Sequence, residues 1–160
     1  MIRIVYTLFF LIVLTSVARA QSGYEQVAFS YFLEEIFPKK FTNEKSAEFD
    51  CKTKKEFTYL GHVDICFKDE SNLEEKLKPE SGTSDTTQIE LSSKGAQIKI
   101  VKVRPMSKRV KLSVLKSIKV NGLNYVLINV YKKDHYVDHY LLEISNENKI
   151  LRWCSSEEII

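Results

Sequence analysis

The densest group of side chains suited to acid–base or metal chemistry lies late in the chain, at Asp134, His135, Asp138 and His139. Two histidines four residues apart would share one face of a helix and bind one ion, but the surrounding residues are typical of strands. In a strand the two His are about 13 Å apart, whereas a shared ion must lie about 2 Å from each ring. We therefore expect no metal site and no other cofactor.

His139 is the residue to consider as a general base, with Asp138 or Glu143 as its carboxylate partner. Such a base needs a partly dry cleft and a neighbour that tunes its protonation. Asp138 is a poor partner, because adjacent strand residues point to opposite faces. The chain has no G-x-S-x-G, C-x-x-C, phosphate-loop or zinc-protease motif, so the sequence favours a protein that is not an enzyme.

Three cysteines, Cys51, Cys66 and Cys154, leave at least one unpaired thiol in a monomer. Cys51 and Cys66 are the nearest pair, and a disulfide between them would stabilise the fold by about 3 kcal/mol. Three buried thiols without a bond are an equal alternative, because a thiol packs as a small apolar group. Cys154 as a nucleophile would require a His that the sequence does not place.

The first twenty residues have the pattern of a secretory signal peptide. Arg3 precedes an apolar run from Ile4 to Leu14, and Ala18-Arg19-Ala20 matches a cleavage site. The run is shorter than the roughly 20 residues that span a bilayer. We predict a signal peptide over 1–20, export to the periplasm or the medium, and one domain over 21–160 with no membrane span.

Removal of the leader lowers the formal net charge from +3 to +1, so global charge predicts no nucleic acid partner. The segment 94–119 nevertheless holds nine basic residues and no acid. It forms either a solvated strand surface or a basic face for a polyanion or an anionic lipid surface.

A helix is predicted over Gly23 to Phe37. Its aromatic-rich stripe has the width needed to cover a sheet, with Tyr24, Val27, Ala28, Tyr31, Phe32 and Ile36 at helical spacing. Ser22 and Glu25 form a capping box, and Pro38 should end the helix.

The next segments predict a hairpin from strands 48–52 and 56–67, with Gly61 as a turn or bulge and a turn-associated His62 beside it. A short helix over 71–77 follows and ends before Pro79. A further strand is expected over 89–103, broken at Gly95.

The stretch Lys108 to Ser155 predicts the main sheet. Apolar residues alternate over 110–120 with a break at Leu115 and Lys116, and Asn121-Gly122 is a strong hairpin signal. Strands Tyr125–Tyr131, Tyr136–Ile144 and Lys149–Cys154 complete it, and the acidic tail Glu157-Glu158 should fray.

The turn between the central strands decides which residues share a face. A loop of Lys133 to His135 places Val126, Ile128 and Val130 on the same face as Leu142, Tyr140 and Asp138. A two-residue turn at Asp134-His135 shifts the pairing by one and changes every partner.

The order of elements, an amphipathic helix followed by long strands that end in Lys149-Ile150-Leu151-Arg152-Trp153, resembles the cystatin/NTF2-like class. The chain also resembles short exported proteins of Bacteroidetes-type bacteria. The resemblance implies an α+β fold with the helix packed on a curved antiparallel sheet, and it carries no catalytic residue across.

We therefore expect a non-catalytic module that binds a small ligand or a protein in the pocket between helix and sheet. Its candidate lining residues are Tyr31, Tyr125, Tyr131, His139, Tyr140 and Trp153. The first alternative is an NTF2-like enzyme with His139 as base in that pocket. The second is binding of a polyanion or an anionic surface through 94–119.

Overall fold

The structure is a computed structural model that describes residues 23–54, 67, 73–77, 86–91, 98–105, 107–133 and 135–159. Several predicted features lie outside the described residues: the leader 1–20, Ser22, most of the strand 56–67, His62, Cys66, Gly95 and Asp134.

The chain forms an α+β fold in which one long helix packs on a mixed sheet. The helix consists of α1 (Tyr24–Tyr31), a π-helical turn (Phe32–Ile36) and α2 (Phe37–Lys40); a short helix, α3, covers Leu73–Lys76. The strands are β1 (Ser46–Glu48), β2 (Thr53–Lys54), β3 (Lys99–Val101), β4 (Val110–Leu115), β5 (Ile118–Val120), β6 (Leu123–Tyr131), β7 (Tyr136–Ile144) and β8 (Ile150–Ile159).

The expectation of a purely antiparallel sheet is wrong. The strand order is β3-β1-β4-β6-β7-β8, with β2 beside β4 and β5 beside β6. β1 runs parallel to both β3 and β4, and β2 runs parallel to β4. β1 therefore pairs with strands more than fifty residues downstream. The second strand of the predicted hairpin, 56–67, lies outside the described residues except for Phe67.

Pro38 does not end the long helix, contrary to the prediction. In a regular α-helix its ring would meet the carbonyl of Glu34 and its missing N–H would interrupt the bonding. The π-helical turn lies directly before it and carries a bond from Phe37 N–H to Phe32 O. This wider turn accommodates the proline, and the helix continues to Lys40.

The predicted capping box is also wrong. Gly23 is the N-cap, and no side chain caps the helix. Glu25 is buried and accepts hydrogen bonds from the backbone N and the side-chain Oγ of Ser117, both at 2.8 Å. The carboxylate thus fixes the start of the helix to the break between β4 and β5.

Both hairpin predictions of the central sheet are confirmed. Asn121 and Gly122 have φ angles of +51° and +81°, and they join β5 to β6. Lys132 N–H donates to Tyr136 O at 2.8 Å, which closes a loop over 133–135. The register is the one predicted for that loop, with Val126 opposite Leu142, Ile128 opposite Tyr140 and Val130 opposite Asp138.

This register divides the apolar residues between two cores, one on each face of the sheet. The core on the helix side contains Phe29, Phe32, Ile36, Phe37, Ala47, Phe49, Val110, Leu112, Val114, Val126, Ile128, Val130, Tyr140, Leu142 and Ile144. The core on the other side contains Phe67, Leu73, Leu77, Leu115, Val120, Tyr125, Leu127 and Leu141. The central hairpin is buried on both faces, as its composition predicts.

The acidic tail does not fray. β8 pairs with β7 as far as Ile159. Glu157 contacts Lys132 on one face of the sheet, and Glu158 contacts His139 on the other. The two carboxylates are held because each meets a partner on β7 or in the turn before it.

The cysteines match neither of the two alternatives, a Cys51–Cys66 disulfide or three thiols without a bond. Cys51 carries a free thiol, so it does not form the first. Cys154 is disulfide-bonded and therefore provides no thiolate nucleophile. No helix in the described ranges is long and apolar enough to cross a membrane.

Candidate ligand-binding groove

A groove of about 390 Å³ opens at one end of the layer between helix and sheet. It lies where α2 ends, where β6 turns into β7 and where the second half of β8 passes beside β7. The charged and aromatic side chains of its lining are Lys40, Phe41, Lys132, Asp138, Tyr140 and Glu157. Its volume is within the range of small-molecule sites, roughly 300–1,000 Å³.

Lys132 is the central charge of the groove. Its Nζ lies 2.7 Å from Asp138 Oδ1 and 3.0 Å from Glu157 Oε1. Burial lowers the pKa of Lys132, but the hydrogen bonds to Asp138 and Glu157 outweigh burial and raise this pKa. Because the Lys132 side chain is one-third exposed, at 33%, water and a ligand can both reach the ion pair.

Aromatic rings form the floor. The Tyr140 ring is buried, and its centroid lies 5.0 Å from that of Phe32 and 6.1 Å from that of Trp153. Phe41 closes one side, 6.0 Å from Lys132 Nζ, which is a cation–π distance. The ammonium group thus lies between two carboxylates and a ring face.

Tyr140 keeps its proton through the ordinary pH range. Burial raises the pKa of Tyr140, and the negative charges of Asp138 and Glu157 raise it further. The hydroxyl is therefore a neutral hydrogen-bonding group at the floor of the groove and not a source of phenolate.

The charges of the groove balance, since Lys40 and Lys132 match Asp138 and Glu157 in number. A ligand with one net charge would leave one of these groups without compensation, which is costly in a partly buried site. The lining therefore suits a ligand that carries a positive and a negative group together.

The predicted lining residues do not form one site. Tyr31, Tyr140 and Trp153 pack on the helix side of the sheet. Tyr125, Tyr131 and His139 lie on the other face, because the confirmed register gives them the opposite parity. Of the predicted set, only Tyr140 borders the groove.

His139 therefore lies outside the pocket between helix and sheet, contrary to the enzyme alternative. Its Nδ1 is 2.9 Å from Asn129 Oδ1, and its Nε2 is 3.1 Å from Glu158 Oε2. A carboxylate is within reach, as a base would need, but both ring nitrogens already have partners. In this arrangement no ring nitrogen is free to accept a proton from a substrate.

A third cluster, around Glu143, is structural. Glu143 Oε2 accepts hydrogen bonds from the Tyr125 hydroxyl at 3.0 Å and from Arg152 Nε at 3.0 Å and Nη2 at 2.8 Å. The guanidinium of Arg152 also lies 4.4 Å from the centroid of the Phe67 ring. This network joins β6, β7 and β8 on the face opposite the long helix.

Besides Glu25, which holds Ser117, a second buried acid anchors the described part of the basic segment 94–119. Buried Glu48 accepts a hydrogen bond from Arg104 N at 3.3 Å. A hydrogen bond from Ser107 holds the pKa of Glu48 below its usual range, in spite of burial. The basic side chains exposed around this loop are Lys99, Lys102, Arg104, Lys108 and Arg109.

Sequence reasoning missed Lys132 and Glu157. Lys132 lies in the predicted turn between the central strands, and Glu157 lies in the tail predicted to fray. Only the pairing of β8 with β7 brings the two residues together. Within the described ranges, no group of three or more His, Cys, Asp or Glu is placed to hold a metal ion.

Comparisons with known proteins return no matching family model, no matching curated protein and no matching solved structure.

Proposed function

We propose that this protein is an exported, non-catalytic binding domain of cystatin/NTF2-like architecture, whose ligand occupies the groove around Lys132. The observation that supports this most directly is the ammonium of Lys132 held by Asp138 and Glu157 over the aromatic floor. This cluster is partly open to solvent, and with Lys40 the charges of the groove balance.

The ligand class follows from the lining. A small zwitterion can offer its ammonium group to Asp138 and Glu157 and its carboxylate to Lys132 and Lys40. Free amino acids and short peptides have this charge pattern, and their apolar parts can contact Phe41 and Tyr140. A protein segment with paired charges is compatible with the same lining.

The test is an NMR titration of the mature protein with free amino acids and dipeptides, with choline and acetate as singly charged controls. We expect zwitterions to shift the amide resonances of Lys132, Asp138 and Tyr140, and the single-charge probes to shift them at least tenfold more weakly at equal concentration. Absence of any shift across the panel would contradict the proposal.

The chain offers matched control variants. Glu157→Gln removes a carboxylate from the groove, whereas Glu158→Gln removes its neighbour from the opposite face. Lys132→Gln and Lys133→Gln form a second pair, because Lys133 is exposed in the loop. Binding should weaken only in Glu157→Gln and Lys132→Gln; equal effects within a pair would show that the probes bind elsewhere.

A second candidate function is binding of a polyanion or an anionic lipid surface through 94–119. It is favoured by the five exposed basic side chains around the loop that Glu48 anchors. Retention on heparin that falls steeply with salt, and falls again in Lys102→Gln/Arg104→Gln, would support it. Retention independent of salt would exclude it.

A further inference from the structure

β8 forms one edge of the sheet and carries exposed apolar side chains. It is ten residues long, and among the described strands it pairs with β7 alone. Leu151 is 49% exposed and Ile159 is 71% exposed. An edge strand presents a row of unpaired backbone N–H and C=O groups that can pair with another strand.

The features that commonly block an edge are sparse on β8. The strand contains no proline, whereas the opposite edge, β3, is protected by its length of three residues. A bulge lies where Glu143 and Ile144 face β8, and from Arg152 to Ile159 the pairing with β7 is regular. A regular edge of this length can accept another strand.

We propose that β8 pairs antiparallel with β8 of a second copy of this chain, which joins the two sheets into one. Identical edges that pair antiparallel are related by a two-fold axis perpendicular to the sheet. One residue of β8 must therefore lie opposite itself. We place the axis at Ser155, an exposed residue near the middle of the regular segment.

The side chains of β8 select this register. With Ser155 on the axis, Arg152 lies opposite the partner's Glu158, and Leu151 meets the partner's Ile159 at each end. Opposite charges and apolar pairs across strands are both stabilising. An axis one residue earlier, at Cys154, would place Glu157 opposite the partner's Leu151 and Glu158 opposite the partner's Ile150. Charged side chains would then face apolar ones.

A second copy fits this edge better than an unrelated extended peptide. The strand has a basic residue, Arg152, in its first half and two acids in its second half, and it has an exposed apolar residue near each end. Each half of β8 thus complements the other half when the strand is reversed. The interface is small, so we expect a dimer that dissociates on dilution.

The first test is a disulfide cross-link at the axis, in the full mature protein with Cys51→Ser to remove the free thiol. Directly opposed residues in an antiparallel pair have Cα atoms about 4.5–5.5 Å apart, which fits the Cα separation of a disulfide, about 4.4–6.8 Å. Ser155→Cys should give a covalent dimer under mild oxidation. The control, Glu147→Cys in the exposed turn before β8, should remain monomeric.

The second test is sedimentation equilibrium from about 1 µM to 1 mM, the range in which small interfaces associate. We expect a monomer–dimer equilibrium that Leu151→Lys/Ile159→Lys shifts to monomer, with an unchanged circular dichroism spectrum because both side chains are exposed. A wild-type monomer throughout the range would overturn the proposal. So would a dimer that survives this double substitution.

Discussion

Replacement of Glu143 by Ala should destabilise the protein more than any other removal of a single carboxylate from the central sheet. Glu143 is 4% exposed, and its Oε2 accepts the three hydrogen bonds from Tyr125 and Arg152. The substitution removes this acceptor from three donor atoms on two side chains, one of which is charged.

The size of the effect follows from these contacts. A hydrogen bond to a charged group contributes about 1.5–3 kcal/mol, and breaking a buried ion pair costs about 3–5 kcal/mol. The Arg152 side chain is 34% exposed, so water compensates part of its loss. We therefore expect Glu143→Ala to lower the free energy of unfolding by about 3 kcal/mol. Glu143→Gln, which keeps an acceptor oxygen, should cost about half as much.

The assay is urea unfolding followed by the fluorescence of Trp153, the only tryptophan in the sequence. Glu147→Ala in the exposed turn is the matched control and should change stability by less than about 0.5 kcal/mol. A double-mutant cycle with Arg152→Ala isolates the pair, and we expect a coupling of at least 1 kcal/mol. If Glu143→Ala and Glu147→Ala cost the same, the network does not stabilise the sheet.

Three further predictions concern titration, backbone and thiols. Burial raises the pKa of Tyr140 in the fold. Its contribution to stability is therefore complete below the pKa of an unfolded tyrosine, near 10, and is lost as pH rises above that value. Tyr140→Phe should lose the late phase of an absorbance titration at high pH. Gly122→Ala should cost about 1–2 kcal/mol, because φ is +81° while no atom lies within 4 Å of the added Cβ; a neutral result in urea unfolding would contradict this. Without reduction, iodoacetamide should label Cys51 and spare Cys154; a labelled Cys154 would refute its disulfide bond.

The elements predicted best are those whose signals are local. Asn121-Gly122 specifies its own hairpin, and alternation specifies the strands on either side of it. The aromatic stripe that starts at Tyr24 predicts the helix, although Pro38 misled the prediction of its end because a π-helical turn is not visible in a periodic pattern. The parallel pairing of β1 was missed because its partners are distant in sequence and leave no turn signature.

The sequence predicts only part of the groove. It allows two registers for the central hairpin, and the register set by a loop over 133–135 places Asp138 and Tyr140 on the helix side of the sheet. Lys132 and Glu157 do not follow from it. Their meeting depends on how far β8 runs beside β7, and a run of two acids at the end of a chain gives no signal of pairing.

Adjacent carboxylates on β8 keep the groove and the His139 cluster separate. Glu157 and Glu158 point to opposite faces because a strand alternates its side chains. Glu157 thereby contributes to the groove with Lys132, while Glu158 holds His139 on the face that the long helix does not cover. Ligand binding in the groove and any role of His139 can thus be perturbed independently, and Glu157→Gln with Glu158→Gln distinguishes the binding proposal from a catalytic one. If only Glu158→Gln altered an activity of the protein, the functional centre would be His139 and not the groove.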